Sequence, residues 1–196
     1  MEHYFTNNPQ KKENRKEISF RFLTHLETFI SDDGVFSKDT LDFGSRLLLQ
    51  TLVSRTVSGR ILDLGCGIGY IGIMLKKHFP AISLTMSDVN SAAATLAEEN
   101  SRRYGQSNTV IVSAGFEKID GSFDLIVCNP PIRTGKKVIY PLFAQSLEHL
   151  SENGSLVLVI RQKQGAPSAV SYLASIGGQV EVIEKKNGYW IILVNK

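Results

Sequence analysis

The chain has 196 residues, of which 42% are hydrophobic and 21% are charged, and this composition is typical of a globular protein with a full core. Its net charge of +3 permits a polyanionic partner without requiring one. No apolar stretch approaches the roughly 20 residues of a membrane-spanning helix, and the N-terminus lacks the apolar core of a signal peptide. We therefore expect a single cytoplasmic domain over residues 1–196, with no membrane partner.

Residues 1–55 are predicted to form an extension that precedes the main fold. Residues 18–30 have the alternation of a β-strand, and the turn-forming run Asp32-Asp33-Gly34 before Val35-Phe36 suggests a hairpin. A helix rich in leucine is predicted from Asp42 to Ser54.

In residues 56–196, short apolar runs alternate with helical patterns, which predicts an α/β fold with a mostly parallel sheet. The predicted strands are Arg60–Leu64, Ser83–Ser87, Thr109–Ser113, Phe123–Cys128 and Ser155–Ile160, and the predicted helices are Tyr70–His78, Ser91–Tyr104 and Tyr140–Leu150, with Ser91 as an N-cap. Near the end, Asn187-Gly188 separates the β-rich runs Gln179–Glu184 and Tyr189–Val194, which predicts an antiparallel hairpin. A parallel sheet that ends in a hairpin resembles the seven-stranded, Rossmann-like catalytic core of class I methyltransferases.

The cysteines and histidines give little support for a metal site. Cys66 and Cys128 lie in separate motifs without a CxxC pattern, and the four histidines share no ligand spacing. We expect buried thiols and no metal.

A glycine-rich loop follows the first strand of the core and opens the next helix. Gly67–Gly72 fits the GxGxxG dinucleotide fingerprint, with Asp88 nineteen residues past Gly69. However, the glycine that directly follows the strand is Gly65, and the acidic Asp63 before it would repel a pyrophosphate. A carboxylate at this position suits a cationic, amino-bearing ligand instead.

The sequence Asp-x-Gly-x-Gly-x-Gly resembles the S-adenosylmethionine loop of class I methyltransferases. The resemblance implies that Asp63, Gly65, Cys66, Gly67 and Gly69 surround the methionine half of this cofactor. It also implies that Asp88, beside Val89, accepts from the ribose hydroxyls. The usual Asp or Asn for the adenine amino group is missing after the third strand, so Ser113, or a backbone carbonyl beside Ala114, would have to replace it.

Asn129-Pro130-Pro131-Ile132 lies where a buried strand must end. The prolines make this segment rigid and extended and are expected to leave its carbonyls unpaired. The Asn129 side-chain oxygen and the Pro130 carbonyl would then form a catalytic pair of acceptors for both hydrogens of a planar amine. The alternative is an ordinary capping asparagine on a rigid loop.

This motif resembles the Asn-Pro-Pro-aromatic signature of methyltransferases that act on planar nitrogens of nucleic acids or glutamine. In that group the aromatic residue stacks on the target, and the asparagine borders the cofactor. Here Ile132 takes the aromatic position, which disfavours an adenine or glutamine substrate. An aliphatic side chain can still cover a base, and the alternative is stacking by Phe36, Tyr70 or Tyr140.

Gly34–Ser37, Leu41–Leu49 and Asn129–Lys136 resemble the 16S ribosomal RNA guanine-N2 methyltransferases of the RsmC type, in particular their short single-domain members. The resemblance places Phe36 and Ser37 near the cofactor, although plain hairpin packing is the alternative for that segment. We also expect a substrate surface that consists of Pro131, Ile132, Arg133, Lys136 and Lys137. The distribution of charge indicates it, because basic residues follow the double proline and Arg161 and Lys163 follow another strand at the same edge, although a solvated face is the alternative for any one cluster.

The leading hypothesis is therefore transfer of a methyl group from S-adenosylmethionine to the N2 amine of a guanine in 16S ribosomal RNA, with ribosomal RNA or the small ribosomal subunit as partner. The alternatives are a protein glutamine N-methyltransferase and a non-catalytic RNA-binding module that retains the fold. The sequence does not define an oligomeric state, and a monomer is the default expectation.

Overall fold

The computed structural model describes residues 14–35 and 41–196, and the predicted site residues Phe36 and Ser37 lie outside these ranges. The strands are β1 Arg15–Phe22, β2 His25–Asp32, β3 Arg60–Leu64, β4 Ser83–Asp88, β5 Thr109–Val112, β6 Phe123–Cys128, β7 Leu150–Arg161, β8 Gln179–Lys186 and β9 Tyr189–Asn195. The α-helices are α1 Phe43–Val53, α2 Tyr70–His78, α3 Ser91–Arg103, α4 Lys136–Glu148 and α5 Ala166–Ser175.

Seven strands form one sheet in the order β5-β4-β3-β6-β7-β9-β8. The first five of these are parallel, and β9 runs antiparallel between β7 and β8. The mostly parallel Rossmann-like sheet and its C-terminal hairpin are thus confirmed. The chain moves outward from β3 to β5 and then returns to β6 on the other side of β3. Such a reversal opens a crevice at the carboxyl ends of β3 and β6, where ligands bind in open α/β sheets.

The two faces of the sheet are covered by different helices, because alternate strand residues point to opposite faces. Ile61 of β3 belongs to a core cluster with α1, α2 and α3, whereas its neighbour Leu62 belongs to a second cluster with α4 and α5. Leu48 and Leu49 of α1 are fully buried, so the start of this helix is firmly attached to the sheet.

The N-terminal hairpin differs from the prediction. Residues 18–30 are not one strand: β1 and β2 pair antiparallel from Arg15↔Asp32 to Phe22↔His25, and the chain turns at Leu23 and Thr24. Leu23 adopts a positive φ of 51°, which is unusual for this residue type. The sequence carries no glycine or asparagine at this turn, so the turn was not predicted. The turn predicted at residues 32–34 is also present, and there the Asp32 carbonyl accepts from the backbone N–H of Val35 at 3.2 Å.

The C-terminal half differs from the prediction at several boundaries. Helix α4 begins at Lys136 and not at the predicted Tyr140. Pro141, a residue type that is common in the first turn of a helix, lies inside this helix. Helix α5 was not predicted; its buried face includes the small residues Ala166 and Ala169, which give a weak hydrophobic pattern. The N-cap of α3 is Asn90 and not Ser91, since the Asn90 side chain accepts from the backbone N–H of Ala92 at 3.0 Å.

Candidate active site

A cavity of about 560 Å³ opens at the carboxyl ends of β3, β4, β6 and β7. It brings together most of the residues that the sequence predicted, namely Gly65, Cys66, Gly67, Asp88, Val89, Ser113, Ala114, Asn129, Pro130, Pro131, Ile132 and Arg133. Some candidate residues within the described ranges do not line it, namely Asp63, Gly69, Lys136, Lys137, Tyr140 and Lys163.

The glycine loop presents bare backbone to this cavity. Gly65 and Gly67 have positive φ values of 71° and 55°, and a Cβ at either position would meet no atom within 4 Å. These two glycines therefore border open space, where a ligand can approach the main chain closely. Gly69 has a different role, because a Cβ there would lie 2.8 Å from Ile73 Cδ1 and 3.2 Å from Ala97. It allows α2 and α3 to pack at the start of α2.

Asp88 fixes the loop from the end of β4. Its carboxylate accepts from the backbone N–H groups of Gly67 and Asn90, each at 2.8 Å. Burial raises the pKa of Asp88, while these backbone bonds oppose the rise. Each carboxylate oxygen has a further lone pair, so Asp88 can still accept from a ligand hydroxyl.

Asp63 lies beneath the loop rather than on the cavity wall. It is only 1% exposed, and its Oδ2 accepts from the backbone N–H of Gly72 at 2.8 Å, in the first turn of α2. Burial, with a smaller contribution from the nearby Asp88, raises the pKa of Asp63 from 3.8 to about 7. Asp63 therefore does not contact a ligand in the cavity directly, and a cation bound there would favour its charged form.

Ser113 is buried at the end of β5, and its hydroxyl is already used within the loop. It donates to the Gly115 carbonyl at 3.0 Å and accepts from the backbone N–H of Lys118 at 3.1 Å. Backbone groups near Ala114, which is exposed on the cavity wall, are thus better placed than the Ser113 hydroxyl to meet a heterocycle.

Asn129 is held by the start of α1. Its Nδ2 donates to Ser45 Oγ at 2.9 Å and lies 3.3 and 3.4 Å from the two carboxylate oxygens of Asp42. Asp42 and Ser45 also line the cavity. Because the amide nitrogen faces these two residues, Oδ1 is the amide atom left to accept from a ligand.

The double proline has a different geometry from the one predicted. Pro131 has φ −74° and ψ 69°, which are the angles of an inverse γ-turn, and the Pro130 carbonyl accepts from the backbone N–H of Ile132 at 2.8 Å. The Pro131 carbonyl accepts from Thr134. The expectation of unpaired carbonyls was therefore wrong. The Pro130 oxygen keeps one lone pair for a second donor.

Of the aromatic residues proposed to replace the missing ring at position 132, Phe36 lies outside the described residues, and Tyr70 and Tyr140 already pack against other rings. Tyr70 lines the cavity but is buried edge-on against Phe20, with ring centroids 4.6 Å apart. Tyr140 stacks on Tyr172 at 4.0 Å and does not line the cavity.

A half-buried aromatic that was not predicted from the sequence, Tyr189, does line the cavity. The guanidinium of Arg161, its cross-strand partner, lies 4.9 Å from the Tyr189 ring centroid. Gly44 allows this arrangement, because a Cβ there would be 3.0 Å from the Tyr189 ring. The strand order contained the signal: β9 runs antiparallel to β7, so its first residue meets the edge where β7 ends.

Exposed basic side chains surround one side of the cavity mouth. Arg133 and Arg161 line the cavity, while Lys136 and Lys137 are exposed in the first turn of α4.

Cys66 and Cys128 are buried free thiols, as expected. Within residues 14–35 and 41–196, no group of three or more His, Cys, Asp or Glu side chains has a metal-binding arrangement. No helix in those ranges has the length and apolar character to cross a membrane.

The sequence of the chain matches a known protein family. The family model of the methyltransferase small domain matches residues 27–193. The chain belongs to this family. Its match covers most of β2, helix α1 and nearly all of the large sheet, so the family's pattern includes the second half of the extension as well as the core.

Two relatives and one solved structure illustrate the relationship. The chain is 44% identical to the uncharacterized protein YbxB of Bacillus subtilis, over 100% of this chain and 98% of that protein. It is 39% identical to ribosomal RNA small subunit methyltransferase C of Haemophilus ducreyi, over 83% of this chain and 50% of that protein. The 16S rRNA N2 G1207 methyltransferase RsmC of T. Thermophilus, solved with AdoMet and guanosine, superposes with a TM-score of 0.83 at 23% identity, over 96% of this chain and 52% of that one.

The chain thus spans about half the length of the methyltransferase C protein and of the RsmC structure, but nearly all of YbxB. At 23% identity, the structural match establishes the shared fold. Membership of the methyltransferase small domain family rests on the family match itself.

Proposed function

We propose that this protein transfers a methyl group from S-adenosylmethionine to the exocyclic N2 amine of a guanine in 16S ribosomal RNA. The observation that carries the proposal is the Asn129 amide, whose nitrogen is bound by Asp42 and Ser45 so that its oxygen is the atom available to a ligand. This acceptor lines the same cavity as the open glycine loop. A methyl acceptor and a methyl donor can therefore meet there.

The cavity residues fit S-adenosylmethionine. Gly65 and Gly67 would hold its methionine half, since their backbone borders open space, and Asp88 would accept from its ribose hydroxyls. Burial raises the pKa of Asp63 behind the loop to about 7, and a cationic ligand in the cavity would favour its charged form, whereas a pyrophosphate would disfavour it. When bound, S-adenosylmethionine supplies an electrophilic methyl group on a positively charged sulfur.

The protein's contribution to the reaction is positioning and hydrogen bonding. An exocyclic amine on a nucleobase is a poor nucleophile, because its lone pair is delocalised into the ring. Asn129 Oδ1 and the Pro130 carbonyl oxygen would accept hydrogen bonds from the two N–H groups of this amine. These bonds would orient the nitrogen lone pair toward the methyl group. Fixed acceptors of this kind stabilise the positive charge that develops on the amine in the transition state.

Three features support an RNA guanine over a glutamine side chain. Related proteins are named as ribosomal RNA methyltransferases, and a protein with the same fold was solved with guanosine. Arg161 at the cavity wall is the residue type that pairs with the O6 and N7 acceptors of guanine. Arg133, Lys136 and Lys137 are exposed beside the cavity for contacts with phosphates. Action on ribosomal RNA would place the protein in the cytoplasm.

The proposal is tested by supplying purified protein with labelled S-adenosylmethionine and one of three acceptors: small ribosomal subunits, naked 16S RNA, or a release factor with an accessible glutamine. We expect label in the RNA, and about 100-fold less label when Asn129→Ala replaces the wild type. Label that enters only protein would establish the glutamine alternative. If no acceptor is labelled although calorimetry detects cofactor binding, the guanine proposal fails, and absence of cofactor binding favours the non-catalytic RNA-binding module.

A further inference from the structure

We propose that Asp42 is a positioning residue that sets the orientation of the Asn129 amide, so that Oδ1 and not Nδ2 meets the methyl acceptor. This inference rests on the proposed function of Asn129 as an acceptor for the target amine. It assigns a role in the reaction to helix α1, which belongs to the N-terminal extension rather than to the strands that form the cavity floor.

The side-chain amide of asparagine carries an acceptor oxygen and a donor NH₂ group. Only the orientation that presents the oxygen to the target amine supports the proposed methyl transfer. Rotation by 180° about the last side-chain bond exchanges a carbonyl acceptor for an NH₂ donor in nearly the same volume. A donor in place of Oδ1 would confront the N–H bonds of the target amine and would not stabilise positive charge there. The site therefore needs a neighbouring group that stabilises one amide orientation over the other.

The negative charge of Asp42 stabilises the orientation in which the Asn129 NH₂ group faces it. In the present orientation Asn129 Nδ2 lies 3.3 Å from Oδ1 and 3.4 Å from Oδ2 of Asp42, so a donor faces both carboxylate oxygens. In the rotated orientation the Asn129 oxygen would take that position and would place an acceptor against a negative charge. Ser45 Oγ accepts the second bond at 2.9 Å, but a hydroxyl can either donate or accept, so it cannot choose between the orientations alone.

Asp42 is itself fixed by a separate set of contacts. It is the N-cap of α1: its Oδ1 accepts from the backbone N–H of Ser45 at 3.0 Å, and its carbonyl accepts from the backbone N–H of Arg46 at 3.2 Å. The positive end of the helix dipole lies at the same place and favours a carboxylate. The helix is anchored by Leu48 and Leu49, which are fully buried. The orienting charge is therefore held on a rigid element.

The capping role makes Asp42→Asn an informative variant. Asparagine caps helices about as well as aspartate, so α1 should form as before. The variant removes the charge that selects the orientation of Asn129. We expect kcat to fall roughly 10- to 100-fold, as misplacement of a reacting group does, with the KM for the cofactor and the melting temperature nearly unchanged. Asp124→Asn is the matched control, since Asp124 also accepts from a backbone N–H but lies outside the cavity.

A double-mutant cycle distinguishes positioning from an independent role. If Asp42 acts through Asn129, Asp42→Asn has no further effect on kcat in an Asn129→Ala background. If the two kcat losses multiply, the proposal is overturned. Should Asp42→Asn destabilise the fold, Asp42→Ser takes its place in the same cycle, since serine also caps helices well and carries no charge.

A second measurement does not depend on any methyl acceptor. In the ¹⁵N-labelled protein, the side-chain NH₂ signals of Asn129 are assigned by their absence in Asn129→Ala. We expect these signals to shift and to exchange faster with water in Asp42→Asn, but not in Asp124→Asn. Unchanged signals would overturn the positioning role. If the wild type labels no RNA while the signals respond as expected, the proposed function fails and the positioning inference stands.

Discussion

The carboxylate of Asp63 and the backbone N–H of Gly72 form a 2.8 Å hydrogen bond beneath the glycine loop, shielded from the cavity above it. The bond joins the end of β3 to the first turn of α2 and so fixes the two elements that flank the loop. The same burial that shields this bond makes the charged form of Asp63 costly.

Asp63 gives the first prediction, which concerns pH and stability. Its folded pKa of about 7 lies above its ordinary value of 3.8, so the native state holds this proton more tightly than the unfolded state. Its contribution to stability is therefore fully present below about pH 4 and is lost as the pH rises toward 7. Chemical denaturation of the wild type and of Asp63→Asn measures this. The wild type should lose stability relative to the variant across this range, and parallel curves would contradict the assignment.

Much of the fold was accessible from the sequence. The alternation of strands and helices, the Asn187-Gly188 hairpin and the glycine loop are local signals, and each corresponds to an observed element. The turn at Leu23 was missed because it contains none of the residues that usually mark a turn. The start of α4 was misplaced because Pro141 obscured it.

The candidate site could be predicted from the sequence only in part, because some of its contacts join residues that are far apart in the chain. Asp88 and Asn129 follow predicted strands and can be placed at one sheet edge from the order of elements alone. The contact between Asp42 and Asn129 joins residues 87 positions apart in the chain, and no local pattern indicates it. The occupied Pro130 carbonyl depends on the ψ of Pro131, which the ring of proline does not fix.

Asn100 gives a second prediction, because its side chain links the N-terminal hairpin to the glycine loop. This fully buried side chain accepts from the backbone N–H of Ile30 and donates to the carbonyls of Ile30 and Ile68. Asn100→Ala would leave these buried groups unpaired, so we expect a loss of about 3 kcal/mol in the free energy of unfolding and weaker cofactor binding.

Urea denaturation and calorimetry measure the two effects of Asn100→Ala. Asn108→Ala is the control, because the half-buried Asn108 amide donates to the side chains of Ser101 and Gln106 within the same region of the chain. If the two variants lose equal stability, Asn100 does not have this linking role.

Arg161 gives a third prediction, which concerns recognition of the base. Arg161→Lys retains the positive charge but loses the planar fork that can pair with guanine O6 and N7. We expect kcat/KM for RNA to fall roughly tenfold or more, since one bidentate pair contributes about 1–3 kcal/mol. Lys163→Ala, which removes an exposed neighbour outside the cavity, should have little effect. Equal effects of the two changes would indicate general charge rather than base recognition.

The lysines at the start of α4 give a fourth prediction. Lys136→Ala combined with Lys137→Ala should weaken RNA binding and reduce the slope of log K against log salt by about one for each phosphate that the variant no longer neutralises. Binding titrations at several salt concentrations measure this slope. Arg102→Ala serves as the control, because Arg102 is an exposed cation that pairs with Glu98 in α3 and does not line the cavity. A slope that the lysine changes leave intact would rule out phosphate binding by these residues.

The central claim is methylation of a guanine N2 amine with Asn129 as an acceptor for that amine, and nucleoside mass spectrometry of 16S RNA tests it most directly. RNA treated with the wild-type protein and S-adenosylmethionine should contain added N2-methylguanosine. RNA treated with Asn129→Ala should contain about 100-fold less at equal reaction time, although calorimetry should find the cofactor affinity of this variant nearly unchanged. A different methylated nucleoside, or full N2-methylguanosine formation by Asn129→Ala, would contradict the account.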